Sequence, residues 1–128
     1  MIRDYPQFRP AYNKLAELQI RRRRVAEAMN TLKAGLKQAP NDPTLYNNLG
    51  MCWLVVRQHE KALEAFSTAA GIDPDNSRYR SNMAVALAML NRETEARALF
   101  AQVLPSGDVE HNMSILKNAR DRDRSATR

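Results

Sequence analysis

The stretch YNNLGMCW, from Tyr46 to Trp53, decides the fold, because Gly50 within it has a small residue 34 positions before it and another 34 positions after it. Small residues stand 34 positions apart at one place in the pattern, and alanines keep the same spacing at a second place. The two sets are Ala16, Gly50 and Ala84, and Ala28, Ala62 and Ala96. A period of about 34 residues is typical of helical solenoids, in which stacked helix pairs share one continuous core. The sequence therefore predicts an all-α protein.

The middle copy of this pattern resembles the tetratricopeptide repeat (TPR) family at its signature positions. Those positions hold Tyr46, Leu49, Gly50, Trp53, Ala62, Phe66, Ala69 and Pro74. The resemblance implies a right-handed α-solenoid of three TPR helix pairs, with repeats at 9–42, 43–76 and 77–110. The outer copies match less closely, since Gln19 and Leu87 stand where the family prefers an aromatic residue.

Helix boundaries follow from residues that begin or end helices. Asp42 offers a side-chain acceptor just before Pro43, and Asn76 stands at the same position of the next repeat. Pro40 and Pro74 end the preceding helices. The predicted helices lie at about 8–22, 25–38, 43–56, 59–71, 77–90, 93–104 and 108–120. The last helix repeats the pattern of a first helix at residues 112–114, so we expect it to cap the solenoid. Residues 121–128 are polar, and we expect a disordered, solvated tail there.

Composition indicates one domain, covering residues 1–120. The chain has 128 residues, a net charge of +6 and a single cysteine. Cys52 falls in a column of apolar residues, so we expect a buried small hydrophobe and not a nucleophile. No apolar run reaches the roughly 20 residues that span a bilayer. We expect a cytoplasmic protein, unless the chain is a piece of a longer secreted or anchored one.

The residues that carry enzyme chemistry are sparse. His59 and His111 fall in different repeats, and neither has a Cys, Ser or carboxylate partner at a recognisable spacing. We expect His59 to be a packing residue and His111 to face the groove described next. The sequence predicts no catalytic residue, no metal site and no cofactor.

The TPR resemblance implies a protein-binding scaffold, whose concave groove is lined by the first helix of each repeat. The usual groove positions are occupied here by Asn13, Lys14, Glu17, Arg21, Asn47, Asn48, Met51, Val55, Arg78, Ser81, Asn82, Val85, His111 and Asn112, with Ile115 extending the set. Asn48, Asn82 and Asn112 form the most regular column. Because an amide both donates and accepts hydrogen bonds, this column suits the backbone of an extended peptide. An internal peptide segment or a partner helix is the expected ligand.

One TPR subclass grips the C-terminal carboxylate of chaperones with two lysines, two asparagines and an arginine. The present chain matches that clamp poorly. Asn48 fits and Arg78 replaces one lysine, but Asn13 and Glu17 stand where a lysine and an asparagine are required. Glu17 would repel a carboxylate, so we do not expect binding of a chaperone tail.

The positive charge favours acidic partners. Two basic clusters stand out, at Arg21–Arg24 and in the tail at Arg120, Arg122, Arg124 and Arg128. An alternative function is therefore a basic nucleic-acid-associated module that uses the arginine-rich turn and tail. It is disfavoured because the large aromatic residues are assigned to the core and the tail arginines alternate with Asp121 and Asp123. Self-association is a further possibility, since only Tyr5, Phe8 and their neighbours precede the first repeat.

Two short runs, 46–50 and 80–84, are also similar to bacterial TPR proteins of pilus assembly, including the TadD type of Flp pili. Many other bacterial TPR proteins share such runs. This similarity would imply scaffolding in a secretion or pilus complex.

Overall fold

The computed structural model describes residues 9–126 and contains seven α-helices in that range. They are α1 (Arg9–Arg21), α2 (Val25–Gln38), α3 (Pro43–Val55), α4 (His59–Ile72), α5 (Ser77–Met89), α6 (Glu93–Val103) and α7 (Ser106–Ala126). The predicted bounds of the first six helices are confirmed to within one residue at each end. No helix of the described part is both long enough and apolar enough to cross a membrane.

Consecutive helices form three packed pairs, α1–α2, α3–α4 and α5–α6, and α7 packs against both helices of the last pair. Two sets of first helices also pack on each other, α1 on α3 and α5 on α7. A hydrogen bond between Asn82 and Asn47 links α5 to α3. The first helices, α1, α3, α5 and α7, therefore follow one another along one face of the solenoid, which is the concave face in the repeats that this chain resembles.

The two caps expected between repeats are present. Asp42 accepts a hydrogen bond from the Thr44 amide at 3.0 Å, and Asn76 accepts one from the Arg78 amide at 3.0 Å. Each cap stabilises its helix by about 1 kcal/mol. Within the pairs, the turn residue with positive φ recurs with the 34-residue period, at Arg23, Arg57 and Asn91.

The columns of small residues lie in the core, as predicted. Ala16, Ala28, Ala62, Ala84 and Ala96 are all completely buried. The closest approach is at Gly50, where a β-carbon would stand 2.5 Å from Cε1 of Phe66. Only glycine allows α3 and α4 to come this close. The three apolar clusters, one in each repeat region, follow one another along the solenoid.

The structure corrects the expected end of α7, which continues to Ala126, so residues 121–126 are helical and not a disordered tail. The helix continues because its last turns make contacts with residues that are distant in the sequence. Arg120 is buried and donates to the backbone carbonyl of Ala88 at 3.1 Å, while Asp123 lies 3.4 Å from Nε of Arg57. These contacts anchor the last turns of α7 to the turns of the second and third repeats. Arg128, Tyr5 and Phe8 lie outside the described residues.

Candidate functional site

An apolar strip runs across the first helices of the last two repeats and α7. It consists of Met51, Val55, Val85 and Ile115, and we call it the groove strip. Met51 and Val85 are 34 residues apart, and Ile115 takes the corresponding place on α7. Val55 stands one helical turn after Met51. The exposed fractions of Met51, Val55 and Ile115 are 38%, 53% and 49%, whereas Val85 is half-buried and packs against the core of the third repeat.

The groove asparagines are bonded to one another across the repeats. Nδ2 of Asn48 donates to Oδ1 of Asn13 at 2.7 Å, and Nδ2 of Asn82 donates to Oδ1 of Asn47 at 2.7 Å. Each pair joins two neighbouring first helices. Side chains one repeat plus one residue apart meet there because the equivalent helices lie side by side.

These pairs correct part of the expected site. Asn47 is only 5% exposed, so it is a buried structural residue and not an open groove residue. Asn48 and Asn82 are half-buried, and one amide N–H of each is already used. Asn112 has no equivalent bond, because Ser81 stands where the earlier repeats have asparagine. Within residues 9–126 no hydrogen bond joins Asn112 to Ser81.

The charged residues predicted for the groove are mostly accessible. Lys14, Arg21 and Arg78 are exposed, whereas Glu17 is half-buried, and His111 is also exposed. The positive charges therefore stand at the surface of the first helices, where they can meet a partner.

Sequence analysis missed a cleft of about 210 Å³ at the end of α7. It is lined by Arg57, His59, Met89, Arg120, Asp123 and Arg124. Asp123 lies 3.4 Å from Nε of Arg57 and 3.9 Å from Nε2 of His59. Burial lowers the pKa of His59, and the Asp123 carboxylate opposes that effect only in part. The packing role expected for His59 is consistent with this partly buried environment.

Arg120 anchors the same end of α7 to α5 and α6. The side chain is 9% exposed, and it donates to Oε1 of Glu93 at 3.2 Å as well as to the Ala88 carbonyl. A guanidinium so deeply buried is held by its acceptors and is not available to a ligand. This removes one arginine from the basic tail that the nucleic-acid alternative requires.

A recess of about 270 Å³ lies between α3 and α4, away from the groove strip. Tyr46, Leu49 and Trp53 line it, with Nζ of Lys61 4.7 Å from the centroid of the Trp53 ring. Side-chain hydrogen bonds bridge the equivalent places of the outer repeats, Thr31 to Gln19 in the first and Arg80 to Gln102 in the third. The recess is therefore a local feature of the second repeat.

The structure also describes the surroundings of the cysteine, of the potential metal ligands and of the arginine-rich turn. Cys52 is completely buried, and burial raises its pKa to about 11, which confirms the prediction of an inert, buried thiol. Among the described residues no group of three or more His, Cys, Asp or Glu side chains has a metal-binding arrangement. The four arginines of the Arg21–Arg24 turn are exposed, and Arg24 lies 3.9 Å from Glu27.

Two family models described as tetratricopeptide repeat match the sequence, one over residues 13–77 and one over residues 57–123. The chain belongs to the tetratricopeptide repeat family. Neither match identifies a pilus-assembly type, so the similarity of this TPR chain to TadD-type proteins stays a prediction. A search of curated protein sequences finds no match.

Solved TPR structures share this fold at low sequence identity. The first TPR of Spaghetti bound to an HSP90 peptide is 15% identical with a TM-score of 0.77, covering 89% of this chain and 96% of that chain. A thermophilic TPR protein of Thermus thermophilus is 20% identical with a TM-score of 0.76, over 90% of this chain and 66% of that chain. The Yersinia enterocolitica type III secretion translocator chaperone SycD is 18% identical with a TM-score of 0.69, over 91% and 93%. These likenesses establish the α-solenoid fold.

Proposed function

We propose that this TPR protein is a non-enzymatic scaffold that binds a segment of a partner protein in its concave groove. The observation that carries the proposal is the groove strip, because three of its four side chains, Met51, Val55 and Ile115, are exposed on the face that TPR proteins use for binding. Covering exposed apolar area is the main favourable term in protein association, at roughly 25 cal/mol per Å² before the costs of binding are subtracted.

Exposed positive charge on the first helices favours an acidic partner. Lys14 and Arg21 are exposed on α1 and Arg78 is exposed in the first turn of α5, so they attract an acidic partner during encounter. Two of the similar structures hold an HSP90 peptide. We do not extend that ligand to this chain, because the side chain of Asn13 is bonded to Asn48 and the Glu17 carboxylate would face a carboxylate ligand.

The test is a selection of random peptides displayed on phage, with wild-type protein as bait. The selected peptides are then measured against Val55→Glu and Ile115→Glu, which alter exposed positions and leave the core intact. The matched control is Ile72→Glu, because Ile72 is 37% exposed but lies on the second helix α4.

The proposal predicts at least a tenfold loss of affinity for the two groove variants, about 1.4 kcal/mol or more, and little change for the control. Peptides that bind all three variants as tightly as wild type would show that the groove strip is not the binding surface.

A further inference from the structure

The recess between α3 and α4 lies on the opposite side of α3 from the groove strip. Trp53 stands two residues from Met51 and two residues from Val55, so its side chain is about 160° around the helix from both. The recess has a volume of about 270 Å³. A ligand held there would therefore not compete with a ligand held in the groove.

The recess exists because the second repeat has a smaller residue on its wall than the other two repeats. Ala65 lines the recess, whereas Thr31 and Leu99 occupy the equivalent positions of the first and third repeats. The Thr31 hydroxyl is bonded to Gln19, the counterpart of Trp53, at 2.8 Å. Leu99 is half-buried and packs against the core of its repeat. A single methyl group leaves open the space that these larger side chains take.

The second repeat also differs from its neighbours in the charge beside the recess. The outer repeats have Glu27 and Glu95 at the position of Lys61, and each pairs with an arginine three residues before it, at 3.9 and 2.8 Å. Gln58 replaces that arginine in the second repeat, so this ion pair is absent. Nζ of Lys61 instead lies 4.7 Å from the centroid of the Trp53 ring. The second repeat therefore places an ammonium group beside an aromatic wall.

The walls of the recess are best matched by an aromatic ring. Tyr46, Leu49 and Trp53 line it together with the methyl group of Ala65. An apolar cavity of about 150 Å³ takes up benzene, so the recess has room for a phenyl or phenol ring. Ring pairs gain edge-to-face or offset contacts beyond the area that they bury. Two wall residues can make such contacts with an aromatic ligand, and an aliphatic side chain would gain the buried area alone.

The polar groups at the edge of the recess are matched by a peptide backbone. Lys61 and Glu64 are both exposed, and they stand about one turn apart on α4. Neither forms an ion pair with another of the described residues. The ammonium only donates hydrogen bonds and the carboxylate only accepts them. A residue of an extended segment presents its own C=O and N–H on the same side, so it can accept from Lys61 and donate to Glu64.

From these observations we infer that the recess is a second docking site, which takes an aromatic side chain from an extended segment of a partner protein. The ring lies between α3 and α4 against Tyr46 and Trp53, and the backbone of the same residue is bonded to Lys61 and Glu64. The inference goes beyond the proposed function, because a chain with both sites holds two segments on opposite sides of α3.

The test follows the fluorescence of Trp53, which is the only tryptophan of the chain and lines the recess. The probe is the capped peptide acetyl-Gly-Ser-Phe-Ser-Gly-amide. Two control peptides carry leucine or alanine in place of phenylalanine, and free L-phenylalanine is a third control. None of these compounds contains tryptophan, so the signal at its excitation wavelength comes from the protein.

The protein variants copy residues of the outer repeats. Ala65→Leu introduces the residue of the third repeat and fills the recess, and Lys61→Glu introduces the residue of both outer repeats. The matched controls are Lys33→Glu, which alters an exposed lysine on α2, and Ile115→Glu, which alters the groove strip. Circular dichroism establishes that each variant is folded.

The phenylalanine peptide is expected to change Trp53 fluorescence saturably, with a Kd of about 1–10 mM for a ligand that buries one ring. Affinity should fall by about tenfold or more in Ala65→Leu and by about threefold or more in Lys61→Glu. Lys33→Glu and Ile115→Glu should bind as wild type does. The alanine peptide should not saturate in the same range.

Several outcomes would overturn the inference. The absence of a saturable change in wild-type protein, or unchanged affinity in folded Ala65→Leu, would show that the recess is not a docking site. If Ala65→Leu does not fold, unchanged affinity in Lys61→Glu decides in the same way. Equal binding of the leucine peptide would refute the aromatic preference, and binding of free phenylalanine alone would refute a protein ligand. Loss of binding in Ile115→Glu would place the peptide in the groove, so the inference fails while the proposed function stands.

Discussion

Replacing Gly50 by alanine is expected to destabilise the protein, although alanine is the better helix former. The new β-carbon would stand 2.5 Å from Cε1, 2.6 Å from Cδ1 and 2.9 Å from Cζ of Phe66. These distances are about 1 Å shorter than normal carbon contacts, so the completely buried ring must move. Overpacking of this kind costs about 1–3 kcal/mol. The gain in helix propensity offsets about 1 kcal/mol of this cost, leaving a net loss of up to about 2 kcal/mol.

The matched control is Gly71→Ala, because a β-carbon at Gly71 meets nothing within 4 Å. This variant is expected to gain about 0.5–1 kcal/mol. The assay is urea unfolding followed by circular dichroism, and the difference between the two variants isolates the overpacking cost. A Phe66→Leu background, which removes the ring, should reduce the effect of Gly50→Ala by about 1 kcal/mol. If Gly50→Ala is as stable as Gly71→Ala, the close α3–α4 contact does not exist and the reasoning is refuted.

Other variants test the remaining contacts. Because burial lowers the pKa of His59 below its usual 6.5, stability should fall as the pH drops from about 7 to 5.5, and His59→Gln should flatten that dependence in thermal unfolding scans. Arg120→Met removes the hydrogen bonds from the guanidinium to the Ala88 carbonyl and to the Glu93 carboxylate, costs about 1.5–3 kcal/mol, and should speed hydrogen exchange at the end of α7. Asn82→Leu should cost about 1–2 kcal/mol, and adding Asn47→Leu should cost less than the sum of the two single changes, as measured by urea unfolding.

The helix order and the core could be predicted from sequence because both depend on local spacing. A small residue every 34 positions fixes where two helices touch, and the acceptors Asp42 and Asn76 fix where helices begin. These signals act within one repeat or between adjacent ones. The first six helices were therefore predicted closely.

The end of α7 could not be predicted, because its contacts are distant in sequence. Alternating arginine and aspartate is typical of a solvated segment, yet Arg120 is buried against Ala88 and Asp123 reaches Arg57 of the second repeat. The packing of α7 against α5 and α6 brings these residues together.

The hydrogen bonds between the groove asparagines could have been predicted from their spacing in the sequence. Asn13 and Asn48 are 35 residues apart, and so are Asn47 and Asn82. A spacing of one repeat plus one residue places two side chains next to each other on neighbouring first helices. A comparison of positions that are 34 residues apart does not reveal this pairing, and it predicts that the asparagine side chains are free to bind a peptide.

The most direct test of groove binding is a map of amide chemical-shift changes in nitrogen-15-labelled protein titrated with a peptide selected by display. If the peptide binds in the groove, the largest changes will fall on α3, α5 and α7 around Met51, Val85 and Ile115. Changes confined to the second helices α2, α4 and α6, or to the Arg21–Arg24 turn, would contradict it.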